Sequence, residues 1–201
     1  MVHAGDTEYY DKPKPFAWTA PLIRFKWNRI FALPANRDLF ANYTMYYMKD
    51  DHDTLKDDCW PGQSYRSATF EEDRRLFAEE QFPSNDLPYK TIRWGRDVQF
   101  WLLEGRAFRS PNTAIDGPAK TILGEKQKEW LRETISESDA QFKLVFSPTP
   151  IVGPDRDQKN DNHSNDGFSH ESIELYEFFS SHPGVIVLCG DRLFRSSSSR
   201  V

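Results

Sequence analysis

The chain has 201 residues, with 26 Lys plus Arg against 31 Asp plus Glu, for a net charge of −5. That length suits one domain with a buried core, and a 14% aromatic content including six Trp sets it apart from disordered chains. The acidic balance disfavours a nucleic-acid-binding module, which carries a basic stripe, and no apolar run reaches the 18 residues of a membrane span.

The predicted elements run as follows. Residues 19–33 place Leu22, Ile23, Trp27, Ile30 and Phe31 at helical spacing, with Thr19 as N-cap and Pro34 just past the end. The aromatic stretch 43–48 reads as a strand. Thr69 followed by Glu72 is a capping-box pattern opening a helix over 69–81. Segments 91–94 and 98–103 read as paired strands across a turn at Gly95. In the second half, 125–137 is helical, 142–146 a strand, 170–181 a helix and 185–189 a near-continuous apolar strand. Helices alternating with doubly buried strands predict an α/β fold, a parallel or mixed sheet covered by helices. In such sheets the chemistry sits in the loops after the strand C-termini.

Those loops hold the unusual residues. The first leads to Gly5-Asp6-Thr7-Glu8-Tyr9 and the second to Lys49-Asp50-Asp51-His52-Asp53. Later loops carry Glu104-Gly105-Arg106 with Arg109, then Asp161-Asn162-His163, and last Gly190-Asp191. Three carboxylates within four residues repel one another unless water or a hard cation neutralises them, and carboxylate oxygen is the natural ligand of such a cation. A solvated acidic turn is the plain alternative. Each Gly-Asp pair alone is a turn; three acidic strand ends on one sheet suggest a shared metal site. Arg106 and Arg109 carry planar forks that match phosphate oxygens, with a surface ion pair as the alternative. A metal between carboxylates and phosphate reconciles the two charge signs. His52, flanked by Asp51 and Asp53, suits a general acid. Asn162 and His163 suit substrate-side contacts. Two cysteines, Cys59 and Cys189, cannot form a disulfide framework; Cys189, closing an apolar run, reads as a buried small hydrophobe.

Gly5-Asp6-Thr7-Glu8-Tyr9 resembles the GDxxY motif of PhoD-like alkaline phosphatases, and Asp50-Asp51-His52-Asp53 resembles their DDH[ED] block. Leu123-Gly124 through Gln127 to Trp130-Leu131 is similar to the family's LGxxQxxWL helix start. The segment from Ser138 to Ile151 is similar to its next strand and loop, and Gly190-Asp191-Arg192 to the start of its GDRH motif. The resemblance implies a metallophosphatase fold of mixed sheets flanked by helices. It implies hydrolysis of a phosphate ester at a multi-metal centre, with iron and calcium as cofactors and other divalent cations as alternatives. Asp6, Tyr9, Asp51 and Asp191 then match metal positions, and His52 and Arg106 the catalytic groups. The family's LDxR strand end has Asp where this chain has Glu104. The expected His after Asp191 is Leu193, and 193–201 reads as a divergent polar tail after a domain over 1–192. The chain therefore reads as a PhoD-like domain truncated at both ends. A catalytically impaired fragment, or a metal- or phosphate-binding module, is the alternative function. Members of the family are typically secreted or periplasmic. No signal peptide is recognisable after Met1 here, which leaves localisation and oligomeric state open.

Overall fold

The computed structural model describes residues 1–81, 87–152, 155–156 and 158–191. The proposed tail over 193–201, together with Arg192, lies outside them. Two strands, β1 (Val2–Ala4) and β2 (Tyr46–Met48), pair in parallel. Between them run two helices, α1 (Ala20–Ala32) and α2 (Pro34–Asn42). A short hairpin of β3 (Ser64–Tyr65) and β4 (Ala68–Thr69) leads into α3 (Phe70–Leu76) and a π-helical turn, Phe77–Gln81. The larger sheet has the order β5-β6-β7-β8, formed by Lys90–Trp94, Val98–Leu102, Phe142–Ser147 and Val185–Cys189. β5 is antiparallel to β6; β6, β7 and β8 are parallel. The crossovers carry α4 (Glu125–Glu137) and α5 (Ser169–Ser180).

Local sequence explains most of these elements. Thr69 accepts the Glu72 amide at 3.2 Å, the first half of the expected capping box. Gly95 turns between β5 and β6 at φ 65°, a backbone region open to glycine. Thr19 stands at the N-cap of α1, but its side chain makes no capping bond; proline in the first turn removes one of the donors it would satisfy. Pro34 does not merely follow α1. It opens α2, where its fixed φ suits a first helical position.

One face of the large sheet packs on α4 and α5. Trp101, Val145, Leu131, Ile135, Leu175 and Phe179 form this main core. The opposite face departs from the expected double burial. Register places Ile92, Phe100, Leu144 and Ile186 in one row, and Leu102, Phe146 and Leu188 in the next. Ile186 and Leu188 remain 44% and 41% exposed. Leu102 of the same row is only 3% exposed, so the cover on this face reaches β6 and stops short of β8. Cys189 is half-buried rather than buried, beside the Ile151 amide.

A second cluster joins α1 to the π-helical turn through Ile23, Trp27, Leu76 and Phe77. Asp73 on α3 is 1% exposed, and neither of its carboxylate oxygens has a hydrogen-bond partner among the described residues. Burial, then the Glu72 charge, raises Asp73 to about 8. A carboxyl raised in the fold keeps a proton that the unfolded chain releases near its ordinary pKa. Its contribution is therefore full below about pH 4 and is lost as the pH rises towards 8. Asp73→Asn is expected to raise Tm by about 5 °C at pH 8 and to change it little at pH 4.5. Melting curves at the two pH values check this, and equal shifts at both contradict it.

Candidate metal centre

The C-terminal ends of the two sheets meet. A Cβ added at Gly190 would lie 2.1 Å from the Ala4 carbonyl oxygen and 2.9 Å from that of Pro148. A Cβ at Gly5, where φ is 91°, would lie 2.7 Å from the Asp50 Cβ. Only glycine lets the loops after β1, β2, β7 and β8 approach this closely. The next residues, Asp6 and Asp191, both adopt left-handed backbone at φ 55° and 57°, a geometry that marks a constrained loop.

This approach gathers carboxylates into three linked groups. Ligand atoms of Asp6, Asp50 and Asp191 lie within 4.8 Å of one another; so do those of Asp6, Asp51 and His52, and those of Asp51, Asp58 and Asp161. Asp6 and Asp51 each belong to two groups. The groups differ in how their charge is met. Asp51 and Asp161 face the Arg106 guanidinium at 3.7 and 3.3 Å, and Lys159 pairs with Asp58 and Asp161. That group is compensated by protein cations. In the first group, Asp6 Oδ1, Asp50 Oδ2 and Asp191 Oδ2 are all buried with no hydrogen-bond partner among the described residues. Three carboxylates grouped within 4.8 Å, each with a buried oxygen left unpartnered, are costly unless a cation sits between them. The residues present therefore fit a hard, oxygen-seeking metal ion.

The titration behaviour agrees. Burial, then the Asp51 charge, raises Asp6 to about 6. Burial, then Asp51 and Asp161, raises Asp191 to about 7. Asp50 is pushed well up by burial despite Arg106. Burial would also raise Asp161, but Arg106, Lys159 and Arg109 outweigh it and hold its carboxyl at about 2.

Neighbouring side chains brace the group. Asp53, fully buried, accepts the Asp50 amide at 2.6 Å and the Thr7 amide at 3.1 Å, tying the first loop to the second. The Tyr9 hydroxyl donates to Asp6 at 3.1 Å, and its ring stacks on His52 at 4.2 Å. Burial, then the Asp6 charge, raises the Tyr9 phenol, so it stays protonated beside Asp6. His52 Nδ1 meets Asp11 at 2.8 Å and Nε2 meets Asp57 at 3.3 Å. Burial opposes its charge, but the Asp11 bond and the Asp51 charge prevail and raise its pKa. Buried Lys26 of α1 reaches Glu8 and the Tyr9, Lys12 and Pro13 carbonyls, fixing the loop that carries Tyr9 and Asp11.

The structure thus brings together Asp6, Tyr9, Asp51, His52 and Asp191. Arg106 joins them fully buried, with its Nε on Asp50. Asn162 touches the cluster's rim, donating to Asp155 at 2.7 Å and Asp161 at 3.4 Å. His163 turns elsewhere: its Nε2 meets Glu171 of α5 at 2.8 Å. Sequence reasoning noted Asp50 as part of an acidic run without making it a ligand, and passed over Asp58 and Asp161 as partners. Asp50 could have been found from its place two residues after β2, since the end of a strand faces the shared cleft. Asp58 and Asp161 are 103 residues apart in the chain, and no local spacing announces their meeting.

Comparisons with known proteins match this architecture. A family model described as PhoD-like phosphatase matches residues 1–194. Among curated proteins, none matches the chain. A solved structure, "Structure of PhoD", superposes with a TM-score of 0.76 at 19% identity. The match covers 94% of this chain and 45% of that one, so the chain spans less than half the length of that solved protein. With the family model spanning residues 1–194 and the fold superposing on PhoD over 94% of the chain, the chain belongs to the PhoD-like phosphatase family.

Proposed function

We propose that this chain binds metal at Asp6, Asp50, Asp51 and Asp191, with Tyr9 beside them, and hydrolyses phosphate esters there. The observation that carries this is the trio of orphaned oxygens on Asp6, Asp50 and Asp191. An all-oxygen donor set suits hard cations; iron with calcium is the pairing the family resemblance implies, and the tyrosine phenol is a ligand type that ferric iron accepts. A metal bound there supplies an activated water and polarises the phosphoryl group.

The chain's own groups do the rest. The attacking water gives up a proton to solvent, and its oxygen bonds to phosphorus in line with the ester oxygen, whose bond to phosphorus breaks. His52, whose protonated form Asp11 and Asp51 favour against burial, gives its proton to that leaving oxygen. For this step the exposed Asp57 carboxylate releases Nε2 to the substrate. Arg106 neutralises the carboxylates from behind, and its positive field balances charge growing on the phosphoryl oxygens. Asn162 steadies the loop beside the cluster through Asp155 and Asp161, while His163 anchors that loop to α5 through Glu171.

Purified protein is expected to hydrolyse p-nitrophenyl phosphate at alkaline pH, and a chelator is expected to abolish the activity. Asp6→Ala serves as the baseline. Turnover that matches this baseline, or persists undiminished with chelator, rejects the reading. A second reading is a metal- or phosphate-binding module without turnover. Stoichiometric metal with no hydrolysis would single it out.

A further inference from the structure

The second residue after β6 is Glu104, where the family's motif carries the shorter Asp. Its side chain does not join the carboxylate groups. It turns back and is 4% exposed. Its Oε1 accepts the Arg106 amide at 2.7 Å, the Ala107 amide at 3.0 Å and the Lys49 ammonium at 3.0 Å. Its own backbone is gripped from both sides by Gln127 of α4: the Glu104 amide donates to Gln127 Oε1 at 2.8 Å, and Gln127 Nε2 donates to the Glu104 carbonyl at 2.9 Å. Lys49, also buried, is the first residue after β2, one before Asp50, and lies 3.4 Å from Thr54 Oγ1.

We propose that the buried Lys49–Glu104 pair is a positioning device: it locks the Arg106 loop to the Asp50 loop and so aims Asp50 Oδ2 at the metal position. The reasoning is geometric. Arg106 takes Asp50 Oδ1 through its Nε, which leaves Oδ2 as the orphaned oxygen of a carboxylate grouped with Asp6 and Asp191. The direction of Oδ2 is therefore set by where the Arg106 guanidinium sits. The guanidinium in turn follows the Arg106 backbone, which Glu104 holds by its amide. A carboxylate one methylene shorter, starting from the same backbone, would fall short of Lys49. The longer Glu lets one oxygen serve three donors from two loops. Residues behind a metal ligand commonly govern affinity in this manner.

This inference rests on the metal-binding reading above. Its test is Mn²⁺ affinity by calorimetric titration of the full chain, with melting curves to confirm folding. Lys49→Met with Glu104→Leu removes both charges and the acceptor for the Arg106 and Ala107 amides, without leaving either charge buried alone. Its Mn²⁺ affinity is expected to fall about tenfold or more. Lys49→Met with Glu104→Gln restores an acceptor for the Arg106 and Ala107 amides but not the link between the two loops, and is expected to recover only part of that loss; full recovery would overturn the role given to Lys49. Wild-type affinity in the Leu variant, or equal loss in both variants, overturns the proposal. Should the Leu variant not fold, Glu104→Asp in the wild-type background decides: weakening of about threefold or more supports it, and unchanged affinity overturns it. A wild-type chain that binds no Mn²⁺ rejects the metal reading itself, and this inference with it.

Discussion

Arg106→Met is expected to lower Tm by more than about 10 °C in metal-free protein. Arg106 is fully buried and faces Asp50, Asp51 and Asp161 at once. Removing one partner of a buried ion pair costs about 3–5 kcal/mol, because the remaining charge has neither water nor counter-ion. Here three carboxylates are left together. That loss is a large part of the ~5–15 kcal/mol that stabilises an ordinary domain. Methionine fills a comparable volume, so the effect reports charge rather than a cavity. Bound metal should soften the loss, since a cation near Asp6 and Asp50 takes over part of the neutralisation. Melting curves with and without Mn²⁺ measure both effects. A shift of less than about 3 °C would mean that the carboxylates are protonated or hydrated and that Arg106 is not their counter-ion.

Asp191→Asn should act in the opposite direction on the metal-free chain. Its Oδ2 is buried without a partner, and it lies with Asp6 and Asp50 in a group of like charges. Replacing one such carboxylate by a neutral amide removes repulsion at little cost in shape. The expected gain is about 1–2 kcal/mol, or roughly 3–6 °C in Tm, while metal affinity falls by about a hundredfold. Asp50→Asn is the contrasting case, because Asp50 also serves as partner to Arg106 and its loss should destabilise. A group that costs stability while improving ion binding is the usual signature of a functional site. Loss of stability in Asp191→Asn, measured without metal, would mark Asp191 as structural instead.

How much of this was legible in the amino-acid order differs by element. The helix α4 and the strand β8 have the bounds that their hydrophobic patterns predicted, and Thr69 caps α3 as its spacing to Glu72 implied. The helix α2 was missed because Pro34 was read as an ending; the same fixed φ serves equally well to begin a helix. The open face of β8 was misjudged because a five-residue apolar run states what a strand avoids, not what covers it. At the site, Asp6, Asp51 and Asp191 stood out because each follows an apolar strand. The orphaned oxygen of Asp50, the bracing of Asp53 and the cations that quench Asp161 depend on loop-to-loop contacts across the fold. Those contacts follow from the close approach at Gly5 and Gly190, which a sequence records only as two glycines. Glu104 shows the same limit: a conservative-looking change from the family motif becomes meaningful only once Lys49 is found beside it.

The central claim is that Asp6, Asp50 and Asp191 hold a cation between them. Calorimetric titration of the purified chain with Mn²⁺, beside Asp6→Asn under the same conditions, tests it most directly. The account predicts saturable binding of at least one ion per wild-type chain and binding about a hundredfold weaker in the variant. Absence of binding to the wild-type chain, or equal affinity in the two proteins, would contradict it.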